Sequence, residues 1–398
     1  MTERLRQGFV AFLLLAAALL GAVPARAAGK VVSVAYLGLV HDPRYQPLLA
    51  YHGLNFESPH RPYLGALLGL KDANDFGGLL GISFRLAKVD AKDAAGLVAA
   101  IGAQKAKGTR IFLLDAPGPV AAAVAKATRG QHLLLFNVSA RSDALRGPAC
   151  QRQMLDTIPS RAMLSDALAQ YLVARKWRRV LMLVGPGPQD AENAAAFRAS
   201  AHKFGLRIVA ERKFIISEDP RNRARNNLAL LTGGVSYDTV YIADQEGEYA
   251  LELPYQTQLP RLVIGSSGLR AVAWHWAWQR FGAPQVTRRF WRLAKVQRMT
   301  SADFAAWIAM KIVALAAVRT HSADFAKIDA YIRRPQFQID VYKGLPASFR
   351  SWDNQLRQPI LLATHAWVIG AAPLPGFLHP VTDLDTLGID KPQSTCHF

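Results

Sequence analysis

With 398 residues, 51% of them hydrophobic and 19% charged, and a net charge of +19 at pH 7, the chain has room for two domains. Beyond the first thirty residues no unbroken apolar run is long enough to span a bilayer; the closest, AAWIAMKIVALAAV (305–318), is short, contains Lys311 and reads as a buried helix. No block of Lys and Arg interleaves with aromatics, which argues against a nucleic-acid partner and leaves the charge as either attraction toward an anionic ligand or membrane face, or a basic solvated surface.

Arg4 and Arg6 open a segment whose centre, FVAFLLLAAALLGAV (9–23), is wholly apolar, and Ala25-Arg26-Ala27 has the small-x-small form that a signal peptidase cuts. Residues 1–27 are expected to be a cleaved signal peptide, with no cysteine near the cut to take a lipid anchor. The leader carries a net +2 (Arg4, Arg6 and Arg26 against Glu3), so +17 remains without it. In an oxidising compartment the two cysteines, Cys150 and Cys396, are expected to form a bridge pinning the C-terminal tail; the alternative is a free thiol at a frayed end.

VVSVAYLGLV (31–40) reads as a strand buried on both faces. A loop follows, then a helix starting at Pro62 and stopping at Gly77-Gly78. ISFRLAKV, RIFLLD and HLLLFNV are further strands, separated by the amphipathic helices DAAGLVAAIGAQKAKG and PVAAAVAKATRG. This alternation predicts right-handed crossovers and a parallel sheet. The loop 140–160 breaks the rhythm, which resumes with Ser160 as a helix cap. RRVLMLV, AENAAAFRASAHKFG, LRIVAERKF, YDTVYIAD and RLVIGSSG make a second sheet of the same kind. Beyond it TRRFWRLAKV, SADFAAWIAMKIVALAAVRT and SADFAKIDAYIR are helical, and QFQIDVYKG and RQPILLATHAWVIG read as strands. The fold class is α/β, two-lobed, each lobe a parallel sheet flanked by helices with a cleft between. Lobe 1 is expected over 30–154 and 285–335, lobe 2 over 155–284 and 336–380, and a tail over 381–398.

The segment LGALLGLKDANDFGGLLGISFRL (64–86) carries Gly65, Gly69-Leu70, Asp72-Ala73-Asn74, Gly77-Gly78 and Gly81 directly before a strand. It resembles the type I periplasmic solute-binding proteins of ABC transporters, the Leu/Ile/Val-binding-like group. TIPSRAMLSDALAQYLVARKW, AWHWAWQRFGAPQVTRRFW and the segment 348–388 resemble the subgroup encoded with pyrroloquinoline quinone (PQQ)–dependent alcohol dehydrogenases. The resemblance implies a periplasmic, non-enzymatic monomer that captures a small solute linked to alcohol oxidation and presents it to permease subunits in the inner membrane. It implies no cofactor and no metal. The alternative is a non-transporting periplasmic sensor or assembly partner of the dehydrogenase system.

Ligands of open α/β sheets bind beyond the carboxyl ends of the strands. That rule selects His41, Asp42 and Arg44 after the first strand, beginning a long loop that either closes over the cleft or packs on the surface. After the third comes DAPGP, with Asp115 but no hydroxyl and two prolines lacking N–H, which argues against an amino acid carboxylate. After the fourth, Asn137, Ser139 and Arg141 offer polar contacts or satisfy their own loop. In lobe 2 the candidates are Asp244 and Gln245, then Ser266 in GSSG. Trp274 and Trp276 share a face if AWHWAW (273–278) is extended, and either wall the pocket or pack in the core. VGPGPQD lacks the third glycine of a phosphate loop. SAHK matches S-x-x-K only by letter, GSSG is not a nucleophile elbow, and there is no H-E-x-x-H or paired C-x-x-C, so no catalytic residue is assigned.

Overall fold

The structure is a computed structural model that describes residues 30–46, 60–215, 219–245, 247–295 and 298–398. The expected signal peptide and residues 47–59 of the long loop lie outside the described residues.

In the first lobe β1 (Lys30–Leu39), α1 (Tyr63–Gly77), β2 (Ile82–Ala91), α2 (Ala94–Ala106), β3 (Ile111–Asp115), α3 (Gly118–Ala127) and β4 (Leu134–Asn137) alternate, and β5 (Met154–Asp156) completes the sheet. All pairings are parallel, in the order β2-β1-β3-β4-β5. Successive residues of β1 serve opposite cores. Val32, Val34 and Tyr36 join one apolar cluster, and Ala35, Leu37 and Leu39 join another. β5 falls where the sequence suggested only loop, because three residues are too few to show a period.

The second lobe repeats the plan with α4 (Arg161–Ala174), β6 (Arg179–Val184), α5 (Pro188–Lys203), β7 (Arg207–Lys213), β8 (Thr239–Ala243), α6 (Glu248–Gln256) and β9 (Leu262–Gly265). Its parallel sheet runs β7-β6-β8-β9. Ser160 caps α4, its hydroxyl accepting from the Met163 N–H. After β10 (Arg270–Val272), helices α7 (Ala283–Ala294), α8 (Ser301–Arg319) and α9 (Phe325–Ile332) return to the first lobe. Among the described residues α8 is the one helix long and apolar enough to cross a membrane, and 83% of its apolar window is buried inside the protein.

The glycine-rich segment explains that packing. Gly65 and Gly69 lie one turn apart on the face of α1 that meets α8, where a methyl at Gly65 would strike the Asp303 carbonyl and one at Gly69 would come within 2.5 Å of Met310 Cβ. Asp72 accepts the indole N–H of Trp307 at 2.9 Å. Asn74 closes the helix onto β2, accepting from the Phe84 N–H and donating to the Phe84 carbonyl. Gly81, at φ 67°, turns the chain into β2. The segment is therefore a packing device.

A third sheet joins the lobes. β13 (Ile360–Ala363) lies antiparallel between β10 and β14 (Val368–Ala372). Leu361 and Ala363 face the first lobe's core, Ile360 and Leu362 the second's. β11 (Ser348–Phe349) and β12 (Leu356–Arg357) form a short hairpin before it. The expected strand QFQIDVYKG is instead irregular, touching a partner only through the Ile339–Ala347 bridge. Phe337, Ile339 and Val341 do face the core, so one-sided burial produced the two-residue period without a neighbouring strand.

Buried polar groups stitch the crossings between lobes. Gln355 donates to the carbonyls of Asp156 and Ile158, while its own oxygen accepts from Arg146. Gln358 donates to the Thr157 carbonyl and accepts from Lys343, whose ammonium also reaches the Ala273 and Pro359 carbonyls. The tail docks on lobe 2: Asp385 meets Arg350 and Arg357, and Lys203 donates to the Thr386 and Gly388 carbonyls. Cys396 is then disulfide-bonded to Cys150 of lobe 1.

Candidate functional site

Strand ends of both lobes converge around Arg161, the first residue of α4. Its N–H donates to the Arg141 carbonyl, beyond β4, at 3.0 Å. Its guanidinium bonds Asn193 at 2.9 Å and pairs with Glu192 at 2.9 Å, both on the helix after β6. The side chain of Arg141 lies within electrostatic reach of Arg161, of Tyr45 beyond β1 and of Arg270 on β10.

The lobe 1 side is a closed ion-pair network. Asp115, fully buried at the end of β3, accepts from the Tyr36 hydroxyl at 2.7 Å, the Tyr45 hydroxyl at 2.7 Å and Arg44 at 2.9 Å. Arg44 also chelates Asp42 and donates to the Ser139 hydroxyl at 2.9 Å. Burial is the largest influence and opposes the Arg44 charge, but the hydrogen bonds it donates to Asp42, with the charges of Asp115 and Asp42, together outweigh it and the guanidinium pKa rises. Burial and then the Asp115 charge push both tyrosine hydroxyls up. The guanidinium groups of Arg44 and Arg61 lie over the Tyr45 ring at 5.1 and 5.2 Å. At the N-terminus of α3 a side chain on Gly118 would meet Ser142 Cβ at 2.9 Å.

Several of the expected ligand contacts also hold the frame of the fold. Asp42 and Asp115 belong to that network. Asn137, fully buried, donates to the Ala140 carbonyl and Asp156 and accepts from the amides of Ser139 and Ala140, which uses its whole amide. Asp244 accepts from the N–H groups of Gly247 and Ala250 and holds the start of α6. Trp274 is buried, stacked on Phe304 at 4.8 Å between ring centroids. AWHWAW is a turn rather than a strand, so Trp274 and Trp276 do not share a face. Trp276 is partly exposed, beneath Arg298 at 4.1 Å. Ser266 accepts from the Asp244 N–H, and the Gln245 N–H donates to Asp190. His41 and the Gln245 side chain are exposed, and Ser139 is half-buried.

The sequence reading missed Tyr36, Tyr45, Arg161 and Arg270. Arg161 follows a cap serine and Arg270 stands two residues past GSSG, but each reads locally as a solvated surface arginine. Burial pushes the guanidinium pKa of both down. Burial, with the charge of Arg161, lowers that of Arg141 to about 10. Among the described residues no group of three or more His, Cys, Asp or Glu is placed to hold a metal.

Residues 61–219 match the family model described as periplasmic binding protein. No curated protein matches the chain. Among solved structures, an amino acid ABC transporter substrate-binding protein from Pseudomonas fluorescens Pf-5 is 14% identical, covering 93% of this chain and 100% of its own, with a TM-score of 0.67. A branched-chain amino acid ABC transporter periplasmic ligand-binding protein from Burkholderia xenovorans LB400 is 15% identical over 84% of this chain and 91% of its own, at 0.64. An ABC transporter solute-binding protein from R. palustris, in complex with benzoate, is 13% identical over 92% and 100%, also at 0.64. The architecture is thus the two-lobed α/β fold of type I periplasmic binding proteins.

Proposed function

We propose that the chain is the periplasmic solute-capturing component of an ABC importer, closing two lobes on a small molecule and handing it to membrane permease subunits without catalysing a reaction. The observation that carries this reading is the convergence of the strand ends of both parallel sheets on Arg161. Sheets of this topology bind ligands beyond such strand ends, and the segments crossing between the lobes would serve as the hinge of closure. The family match over 61–219 and the fold support the same reading.

The solute is proposed to belong with PQQ-dependent alcohol oxidation, on the subgroup resemblance of 157–177, 273–291 and 348–388. A leucine-like ligand is disfavoured, because the turn into α3 carries two prolines without N–H groups and no hydroxyl of its own. Ser139, Gln245, Ser266, Trp276 and His41 are the remaining candidate contacts; Asp42, Asp115, Asn137, Asp244 and Trp274 form the frame behind them.

The test is intrinsic tryptophan fluorescence of the purified mature chain, titrated with alcohols, aldehydes, carboxylates, amino acids, PQQ and metal chelates, with small-angle scattering to read closure. The expected result is saturable response and compaction with one class, and none with leucine or valine. Micromolar leucine binding would overturn the reading of DAPGP. A flat response to every class, with a cleft filled by its own side chains, would overturn solute capture.

A further inference from the structure

The guanidinium groups around the cleft fall into two kinds. Arg44 is held by Asp42, Asp115 and Ser139, and Arg161 by Glu192 and Asn193. Arg61 donates to the Leu39 carbonyl and lies 3.7 Å from Asp90. Arg141 and Arg270 are different. Both are half-buried, and neither has a carboxylate or hydrogen-bonding oxygen for its side chain among the described residues. Their nitrogens are not among the sealed, unpartnered atoms, so they reach solvent.

This departs from the rest of the molecule, where Arg146 pairs with Asp156, Arg333 with Asp329, and Arg350 and Arg357 with Asp385. An uncompensated guanidinium in a partly desolvated site is unfavourable, and the charges of Arg161 and Arg270 add to the cost at Arg141. The acids that the sequence placed on the lobe 1 side, Asp42 and Asp115, are already engaged, both by Arg44 and Asp115 also by two tyrosine hydroxyls. Among the described residues the crevice is therefore left with two uncompensated guanidinium groups, Arg141 on lobe 1 and Arg270 at the edge of lobe 2.

Building on the solute-capture reading, we infer that the cleft is built for a small organic dianion, a dicarboxylate, with one acidic group on Arg141 and the other on Arg270. A guanidinium fork matches a carboxylate in two parallel hydrogen bonds. A molecule bridging the forks replaces repulsion between lobes by attraction on both sides, which makes affinity for the closed form exceed that for the open one. A monoanion compensates one fork and leaves the other. Neutral and cationic solutes compensate neither.

The experiment is isothermal titration of the mature, disulfide-bonded chain in chloride-poor buffer with succinate, glutarate and phthalate, beside butyrate, benzoate, succinamide and leucine. At least one dicarboxylate is expected to bind ten-fold or more tightly than its monocarboxylate partner, with affinity falling steeply as salt is added. Arg141→Gln and Arg270→Gln are each expected to weaken that binding at least ten-fold and to erase the preference for two charges. Arg207→Gln, exposed at the start of β7, leaves it unchanged. The melting temperature of empty Arg141→Gln separates roles: relief of like-charge repulsion holds or raises it, whereas loss of a purely structural arginine lowers it and counts against the inference. Dicarboxylates no tighter than their monoanion or neutral partners would overturn it. If a neutral solute instead saturates the protein, solute capture stands and the dianion site falls; if nothing of any class binds, both fall.

Discussion

Asp115 shows what a carboxylate at a strand end becomes once its neighbours are known. By letter it is an acid at a cleft; in place it is the acceptor that orders Tyr36, Tyr45 and Arg44. Asp115→Ala strands a half-buried guanidinium and a buried hydroxyl together, and is expected to cost roughly 3–5 kcal/mol in urea denaturation. Asp156 gives a pH prediction. Burial lifts its carboxyl to about 6, against the pull of the Arg146 charge and the Asn137 hydrogen bond. The folded state therefore holds this proton more tightly than the unfolded chain. The stability from this group is full below the ordinary carboxyl range near pH 4 and is lost as pH rises through about 6. Asp156→Asn is expected to flatten that slope, read as the urea midpoint against pH. The pairings of Asp115 and Asp156 were invisible in the sequence because their partners are up to 79 positions away.

At the scale of elements, periodicity was a good guide wherever a segment is long and packed on both sides, as in β1, β3 and α8. It failed where a short run is buried on one side only: QFQIDVYKG and AWHWAW have strand-like spacing but no neighbouring strand. The α1–α8 contact is the element most exposed to a single methyl. Gly65→Ala places a Cβ against the backbone carbonyl of Asp303, where no side-chain rotation relieves it, and is expected to destabilise by about 1–3 kcal/mol, as overpacking does. Gly78→Ala, with nothing within 4 Å of the added methyl, is the matched control. Chemical denaturation of both variants separates packing from helix propensity.

At the scale of the molecule, the C-terminal tail is a strap: salt bridges fix it to lobe 2 and the Cys150–Cys396 disulfide fixes its end to lobe 1 across a sequence separation of 246 residues. Closing so long a loop in the unfolded chain is expected to contribute about 2–5 kcal/mol. Reduction, or Cys150→Ser with Cys396→Ser, should lower the melting temperature accordingly, as scanning calorimetry with and without reductant would read; an unchanged transition would mean that the non-covalent docking of the tail suffices.

By itself the sequence determined the alternation of strands and helices, hence parallel sheets, two lobes and a cleft at the strand ends, because those follow from local periodicity and the handedness of crossovers. It also brought out the glycine segment, whose spacing is a property of one helix. The charge of the cleft was decided only by the tertiary structure. Which of 48 lysines and arginines are neutralised depends on which carboxylates lie within a few ångströms of them, and Coulomb pairing follows distance in space, not position along the chain.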